Sequence, residues 1–234
     1  MPTEPATPPA EHHPIEEAAP QAEAAPESTP PAPAPTLAGS DALMTDSLSG
    51  LIGKARFDAL FIADELIRRI VVTVDNLPRQ KLAYRQLPVH SAPGQFRVAG
   101  TPQAPVIADD NAARYAAYVQ LAEAIDARAL VGLYVRYYPL FQQAYQDLGY
   151  PNGYFNDRLI VAIDNLLATP EVTGPIALSH PSVWYEYADP QLEQCSSGQK
   201  ILLRIGADNA AKIKAKLREI RAQLVARAPH QTSP

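Results

Sequence analysis

The stretch "RRIVVTVDNLPR" at residues 68–79 is echoed at 157–168 by "DRLIVAIDNLLA". Aligning 69–77 with 158–166 gives five identities in nine, together with three conservative pairs. A phrase used twice constrains the fold, because each copy must satisfy a similar set of neighbours. Taken alone, the first copy is ambiguous: the β-branched run at 70–74 favours a strand by propensity. Against that, Leu66, Ile70, Val74 and Leu77 recur at helical spacing, and Pro78 stands where a helix would end. The second copy reads more plainly as a helix, with Leu159, Ile163, Leu166 and Leu167 in phase, and it pulls the first copy with it. Arg and Asp lie six apart in each copy, about 240° around a helix axis, so neither copy can close its own ion pair. If the two helices pack antiparallel, Arg69 would meet Asp164 and Arg158 would meet Asp75. Similarity stops outside the nine residues, which favours one packing solution used twice over a duplicated site.

The chain of 234 residues does not offer all of its length to a core. Residues 1–36 hold eleven prolines, nine alanines and six glutamates, with no Lys, Arg or aromatic residue. Such a segment buries too little apolar surface to offset its ordering entropy and is expected to be a disordered, extended tether. The predicted organisation is therefore a Pro/Ala-rich acidic tether over 1–38, one compact domain over 39–227 and a disordered tail over 228–234. The fold class expected is mainly α: a single helical domain with a small β-hairpin element.

Helix signals run through the domain. Ser40 or Asp41 is expected to cap a first helix broken at Gly53, and one of Asp109, Asp110 and Asn111 to cap a later one. Asp126 is expected to cap a helix that Pro139 kinks or splits near Arg136 and that Gly149 stops. A helix from Pro190 through Arg204, a turn at Gly206 and a last helix over 208–226 complete the series. Residues 80–108 suggest two short extended segments. "GPIALSHPSVWYEYADP" suggests the hairpin, with apolar Ile176 and Leu178 followed by Val183, Trp184, Tyr185 and Tyr187.

The catalytic inventory is thin. There is no nucleophile elbow, phosphate-binding glycine loop or dinucleotide fingerprint. The five histidines show no ligand spacing, and His12–His13 reads more simply as a polar accident of the tether than as a metal site. Cys195 is the only cysteine, so an internal disulfide and a thiolate zinc site are both excluded. No cofactor and no metal are expected. No window of the sequence approaches twenty apolar residues, so no transmembrane segment is expected.

Three features could carry recognition. Tyr134, Tyr138, Phe141 and Tyr145 share one helical face, which reads either as core or as the lining of a groove. The loop "GYPNGYFNDR" at 149–158 places Tyr150, Tyr154, Asn156, Asp157 and Arg158 between two helices, as a binding site or as capping and an ion pair that lock the turn. The last helix carries the apolar stripe Ile213, Leu217, Ile220 and Leu224 beside Lys212, Lys214, Lys216 and Arg218. Those cations suit either a solvated face or contact with an anionic surface. Net charge is −5, which argues against nucleic acid as a partner.

The strings "ELIRRIVVTVDNLPR", "YPLFQQAYQDLGYPNGYFNDRLIVAIDNLLATPE" and "YEYADPQLEQCSSGQKILLRIGADNAAKIKAKLREIRAQL" resemble the bacterial family known as domain of unknown function 3014. The resemblance covers about residues 40–226. It implies no activity or ligand. It implies a cell-envelope setting, in which an N-terminal membrane helix and a Pro/Ala-rich spacer precede the domain. The sequence has the spacer and lacks the helix, so a periplasmic or membrane-associated location follows from the resemblance, and a soluble cytoplasmic one if Met1 is the true start.

Two functions are open. One is a non-catalytic interaction or scaffolding module on a tether, with a protein or envelope component as partner. The other is an enzyme with a carboxylate-based, hydrolase-like site, its acid/base pair drawn from Asp157, Asp164 or Glu186 and its anionic substrate held by Arg158. A concave pocket gathering Tyr154, Asp157, Arg158 and a second carboxylate would favour the enzyme. Burial of those side chains in mutual ion pairs would remove its main support.

Overall fold

A computed structural model describes residues 36–180 and 184–227 of the chain. The expected tether up to residue 35 and the tail over 228–234 lie outside them, as do His12, His13, His230 and Val183. Thr36 to residue 38 open the described part, and Leu37 is already buried against the first helix.

The protein is mainly α, with ten helices among the described residues. The N-terminal layer holds α1 (Ser40–Ile52), α2 (Lys54–Leu60) and α3 (Leu66–Asn76). Gly53 breaks the first pair with φ 89°, a left-handed conformation that suits glycine. The middle holds α4 (Ala116–Ala124), α5 (Ala127–Arg136), α6 (Tyr138–Asp147) and α7 (Phe155–Leu167). Asp126 caps α5 through the Ala129 N–H at 2.6 Å, and the chain splits at Tyr137, one residue before the turn that Pro139 opens. The C-terminal part holds α8 (Pro190–Glu193), α9 (Ser197–Arg204) and α10 (Ala207–Val225). The single helix expected from Pro190 to Arg204 is thus two. The first ends at its C-cap Gln194, and Ser196 starts the second in a reciprocal capping box with Gln199.

Two small antiparallel hairpins join the helices. Strand β1 (Val98–Thr101) pairs with β2 (Ala104–Ile107), and β3 (Leu178–Ser179) pairs with β4 (Glu186–Tyr187). The Ile107 N–H donates to the Ile176 carbonyl at 3.0 Å, which ties one hairpin to the other.

The main core lies between α1, α2, α3, α5, α6 and α7, around Leu66, Ile67, Val71, Phe141 and Phe155. A smaller core sits under the hairpins around Leu178, Tyr187, Leu192 and Leu203, and Val131, Ile163 and Leu224 join α10 to α5 and α7. The β-branched first copy is helix α3. Its run of Val, Ile and Thr costs on the order of 2–3 kcal/mol in helix propensity. Burying Leu66, Ile67, Val71 and Val74 returns roughly 1.5–3 kcal/mol each, so packing overrides propensity. Tyr134, Tyr138, Phe141 and Tyr145 belong to the core, edge-on or stacked with Phe155 and one another.

Neither copy of the repeated phrase caps its own helix. Asp41, expected to start α1, instead takes the Glu65 and Leu66 N–H groups at 2.9 and 3.0 Å and so caps α3 from outside. Glu65 adopts the left-handed φ of 50° there. Ser40 is buried and donates to the Leu37 carbonyl. At α7 the borrowed cap is Gln142 of α6, which accepts the Phe155 N–H at 2.9 Å and donates to the Gly153 carbonyl at 2.7 Å. Asn111, expected among the helix caps, lies instead in a 3-10 turn (Asp109–Tyr115), fully buried. It accepts from the Arg97 N–H and donates to the Arg204 carbonyl.

Candidate functional site

Both copies end on the same place, the first turn of α9. The Leu77 carbonyl accepts the Gly198 N–H at 2.9 Å, and the Arg79 carbonyl accepts the Ser197 N–H at 2.6 Å. From the other copy, Asn165 accepts the Ser196 hydroxyl at 2.6 Å and the Gln199 amide at 3.0 Å. Glycine at 198 lets the chains approach closely: a Cβ there would stand 2.7 Å from Leu166 Cδ2 and 3.1 Å from the Leu77 carbonyl oxygen, so both neighbours would have to shift. Helices whose C-terminal ends converge in this way are not packed antiparallel.

That geometry grants one of the two expected ion pairs and denies the other. Arg158 Nε lies 2.9 Å from Asp75 Oδ1, and its Nη2 also donates to the Asp75 backbone carbonyl. Arg79 closes on the other oxygen of Asp75 at 2.9 Å. Its guanidinium is held above its ordinary pKa, first by the hydrogen bond to Asp75 and then by that carboxylate's charge. Tyr150 completes the junction, accepting from Arg79 at 2.6 Å, reaching Asp75 at 3.4 Å and stacking on Tyr145 at 4.6 Å. Asp75 is only 5% exposed. Arg69 does not meet Asp164. It donates instead to the carbonyls of Asp64 and Arg85, both at 2.8 Å, strapping down the chain after α3. Asp164 is taken by Arg221 of α10 at 2.5 Å.

The five candidate residues of the 149–158 loop are thereby divided. Arg158 and Tyr150 serve the Asp75 junction. Asn156 is fully buried and accepts from the Tyr134 hydroxyl at 3.3 Å. Asp157 is partly exposed and Tyr154 exposed, at the start of α7. Of the four cations proposed for an anionic surface, Lys214 is buried and donates to the Thr169 carbonyl at 2.6 Å. Lys212 pairs with Glu123 at 3.2 Å, and Lys216 bonds the Ile125 carbonyl and Glu219. Arg218 is exposed. Among the described residues no group of three or more His, Cys, Asp or Glu side chains gathers, and no helix is long and apolar enough to cross a membrane.

Exposed chemistry concentrates elsewhere, in a cleft of about 830 Å³ beside the hairpins. Its rings come from far-apart stretches: Tyr84, Phe96, Tyr115, Trp184, Tyr185 and Tyr187. Trp184 is 78% exposed and Tyr84 63%, although both are large apolar side chains. Phe96 and Tyr185 lie 6.3 Å apart, and His180 meets the same Tyr185 at 4.6 Å. At the floor, Arg204 sits 6.0 Å from the Phe96 centroid and 5.9 Å from that of Tyr187. Glu193, salt-bridged to Lys200, also acts on this guanidinium by charge, and among the described residues no carboxylate closes a salt bridge with it. Arg114 is held differently, clamped to the Pro93 and Gly94 carbonyls at 2.9 Å each, which fixes the loop carrying Phe96. Tyr187 is the rigid member. Its hydroxyl donates to the Lys200 carbonyl at 3.0 Å, and burial pushes its pKa up to about 12. Trp184, Tyr185 and Tyr187 belong to the hairpin expected from the sequence, whereas nothing along the chain links them to Tyr84, Phe96, Tyr115 or Arg204. The available signal was an aromatic-rich hairpin with more rings than two two-residue strands can bury.

No curated protein and no solved structure matches the chain. A family model does match over residues 66–221, a span that holds the Asp75 junction and the whole cleft. The chain belongs to the family described as "protein of unknown function", DUF3014.

Proposed function

We propose that the domain is a non-catalytic interaction module that binds an extended peptide in the aromatic cleft. The observation that carries this reading is the set of rings around Arg204, with Trp184 and Tyr84 standing in water. A soluble fold gains little from solvating an indole, whereas a peptide laid across the rings desolvates them and meets a guanidinium that no salt bridge holds among the described residues. A glycan would need several amides or carboxylates for its hydroxyls, and here Gln95 and Glu186 are the polar side chains other than the arginines and ring hydroxyls. The carboxylate-based enzyme has less support, because Arg158, its intended anion binder, is engaged with Asp75. A place at the cell envelope rests on the family resemblance, with residues 1–38 as the tether.

Trp184 is the only tryptophan, so its fluorescence reports on the cleft alone. Titration of the full chain with proline-rich peptides bearing a flanking carboxylate should give a saturable blue shift. That response should be lost in Tyr84→Ala and weakened at least about tenfold in Arg204→Gln, from loss of a desolvated cation contact. A linear response with no saturation, or one indifferent to both substitutions, would refute the module reading.

A further inference from the structure

We infer that the cleft is occupied in cis by the proline strip at residues 2–9 of the same chain, which acts as a built-in competitor for outside peptides. The inference rests on the peptide-binding reading of the cleft. The strip reads "PTEPATPP", and Pro2, Pro5 and Pro8 recur every third residue. A polyproline II helix has three residues per turn, so these three rings line one edge, preformed and with little ordering entropy left to lose. Aromatic-walled clefts take such an edge ring by ring. Other i, i+3 prolines occur only as pairs, Pro30 with Pro33 and Pro102 with Pro105.

Charge points the same way. Residues 1–36 contain no Lys or Arg, and Glu4 and Glu11 put carboxylates within and just beyond the strip. The cleft offers Arg204, which Glu193 reaches by charge but which closes no salt bridge among the described residues. Reach is not limiting. The 26 residues between Pro9 and Thr36 span roughly 28 Å as a flexible coil and ~80 Å extended. A domain of this size has a radius of gyration of roughly 16 Å, so the strip can arrive at any face. Tethering also sets its strength. A linker of this kind holds the strip at an effective concentration on the order of 1 mM, so an intrinsic Kd of ~100 μM leaves about nine clefts in ten occupied. An outside peptide then binds about tenfold more weakly than it would to an empty cleft.

The test compares the full chain with its Pro2→Ala/Pro5→Ala/Pro8→Ala variant, both read through Trp184. The probe is a synthetic peptide of residues 1–12. The variant should bind it about tenfold more tightly than the wild type, and acrylamide quenching of Trp184 before any peptide is added should at least roughly double. Equal affinities and equal quenching would overturn the cis contact while leaving the peptide-binding module standing. Saturable binding to neither chain would remove both. A wild-type protection that fades on dilution would assign the strip to the cleft of a second copy and overturn the intramolecular version.

Discussion

At the Asp75 junction a buried carboxylate meets two guanidinium groups and a phenol, and no buried side-chain nitrogen or oxygen among the described residues lacks a partner. In the aromatic cleft the balance is reversed: large rings stand in water around a guanidinium that Glu193 reaches by charge but that no salt bridge holds among the described residues. The first region has used its polar chemistry to join α3, α7 and the chain after α6. The second keeps its chemistry available. A dense patch of charge and hydroxyls is therefore a sign of tertiary locking in this protein, and unspent apolar surface is the better sign of a partner.

The largest effect that would sharpen this contrast is at the junction. Asp75→Ala leaves Arg158, only 20% exposed, without its carboxylate, while Arg79, about half exposed, can turn to solvent. The expected loss is about 3 kcal/mol, or roughly 6–12 °C in Tm for a domain of this size, read by thermal melting. An unchanged melt would mean that the junction is not what holds the two copies, and the comparison would break.

Alkaline unfolding tests both regions at once. Burial raises the pKa of Tyr138, on the main core, and of Tyr187, under the cleft, from 10.0 to about 12 in each case. A raised folded-state value gives stability that is complete below pH 10 and lost as pH climbs through 12. Midway, near pH 11, Tyr187 should have lost at most about 1.4 kcal/mol and Tyr138 less, because solvent screens it more. Denaturant midpoints followed from pH 9 to 11 should fall, and Tyr138→Phe and Tyr187→Phe should each make that fall shallower, with Tyr134 and Tyr145, whose pKa values burial also raises, supplying part of the rest. If Tyr187→Phe left the slope intact, the cleft floor would be looser than its hydrogen bond to Lys200 implies.

The smallest effect belongs to the cleft rim. Trp184→Ala should change stability by less than about 0.5 kcal/mol in a thermal or denaturant melt, because most of the indole is already solvated. A loss of several degrees would move Trp184 to the structural side of the comparison.

Much of the helical order is readable along the chain because its signals are local. Gly53, Asp126, Pro139, Gly149 and Gly206 all mark ends or breaks where the backbone itself requires them. The borrowed caps were not readable. Asp41 and Gln142 lie 24 and 13 positions from the N–H groups they take, and no propensity argument connects residues at that distance. The repeated phrase shows the same limit from the other side. Its Arg and Asp are identical in the two copies, yet Asp75 is buried between two arginines while Asp164 lies at the surface against Arg221. Of the candidate loop, Tyr150 and Arg158 turned inward to the junction. The cleft went unassembled because Tyr84, Phe96, Tyr115 and Arg204 share no motif with the hairpin.

The sequence by itself determined that this is a helical domain with minor strands, where its helices break, and that both copies of the repeated phrase are helices, because spacing, proline and glycine act on neighbouring residues. Only the tertiary structure decided that those helices converge on the first turn of α9, that one expected ion pair forms and the other does not, and that scattered rings make one cleft. Partner choice and solvent exposure depend on which distant surfaces meet, and that is settled only when the whole core has packed.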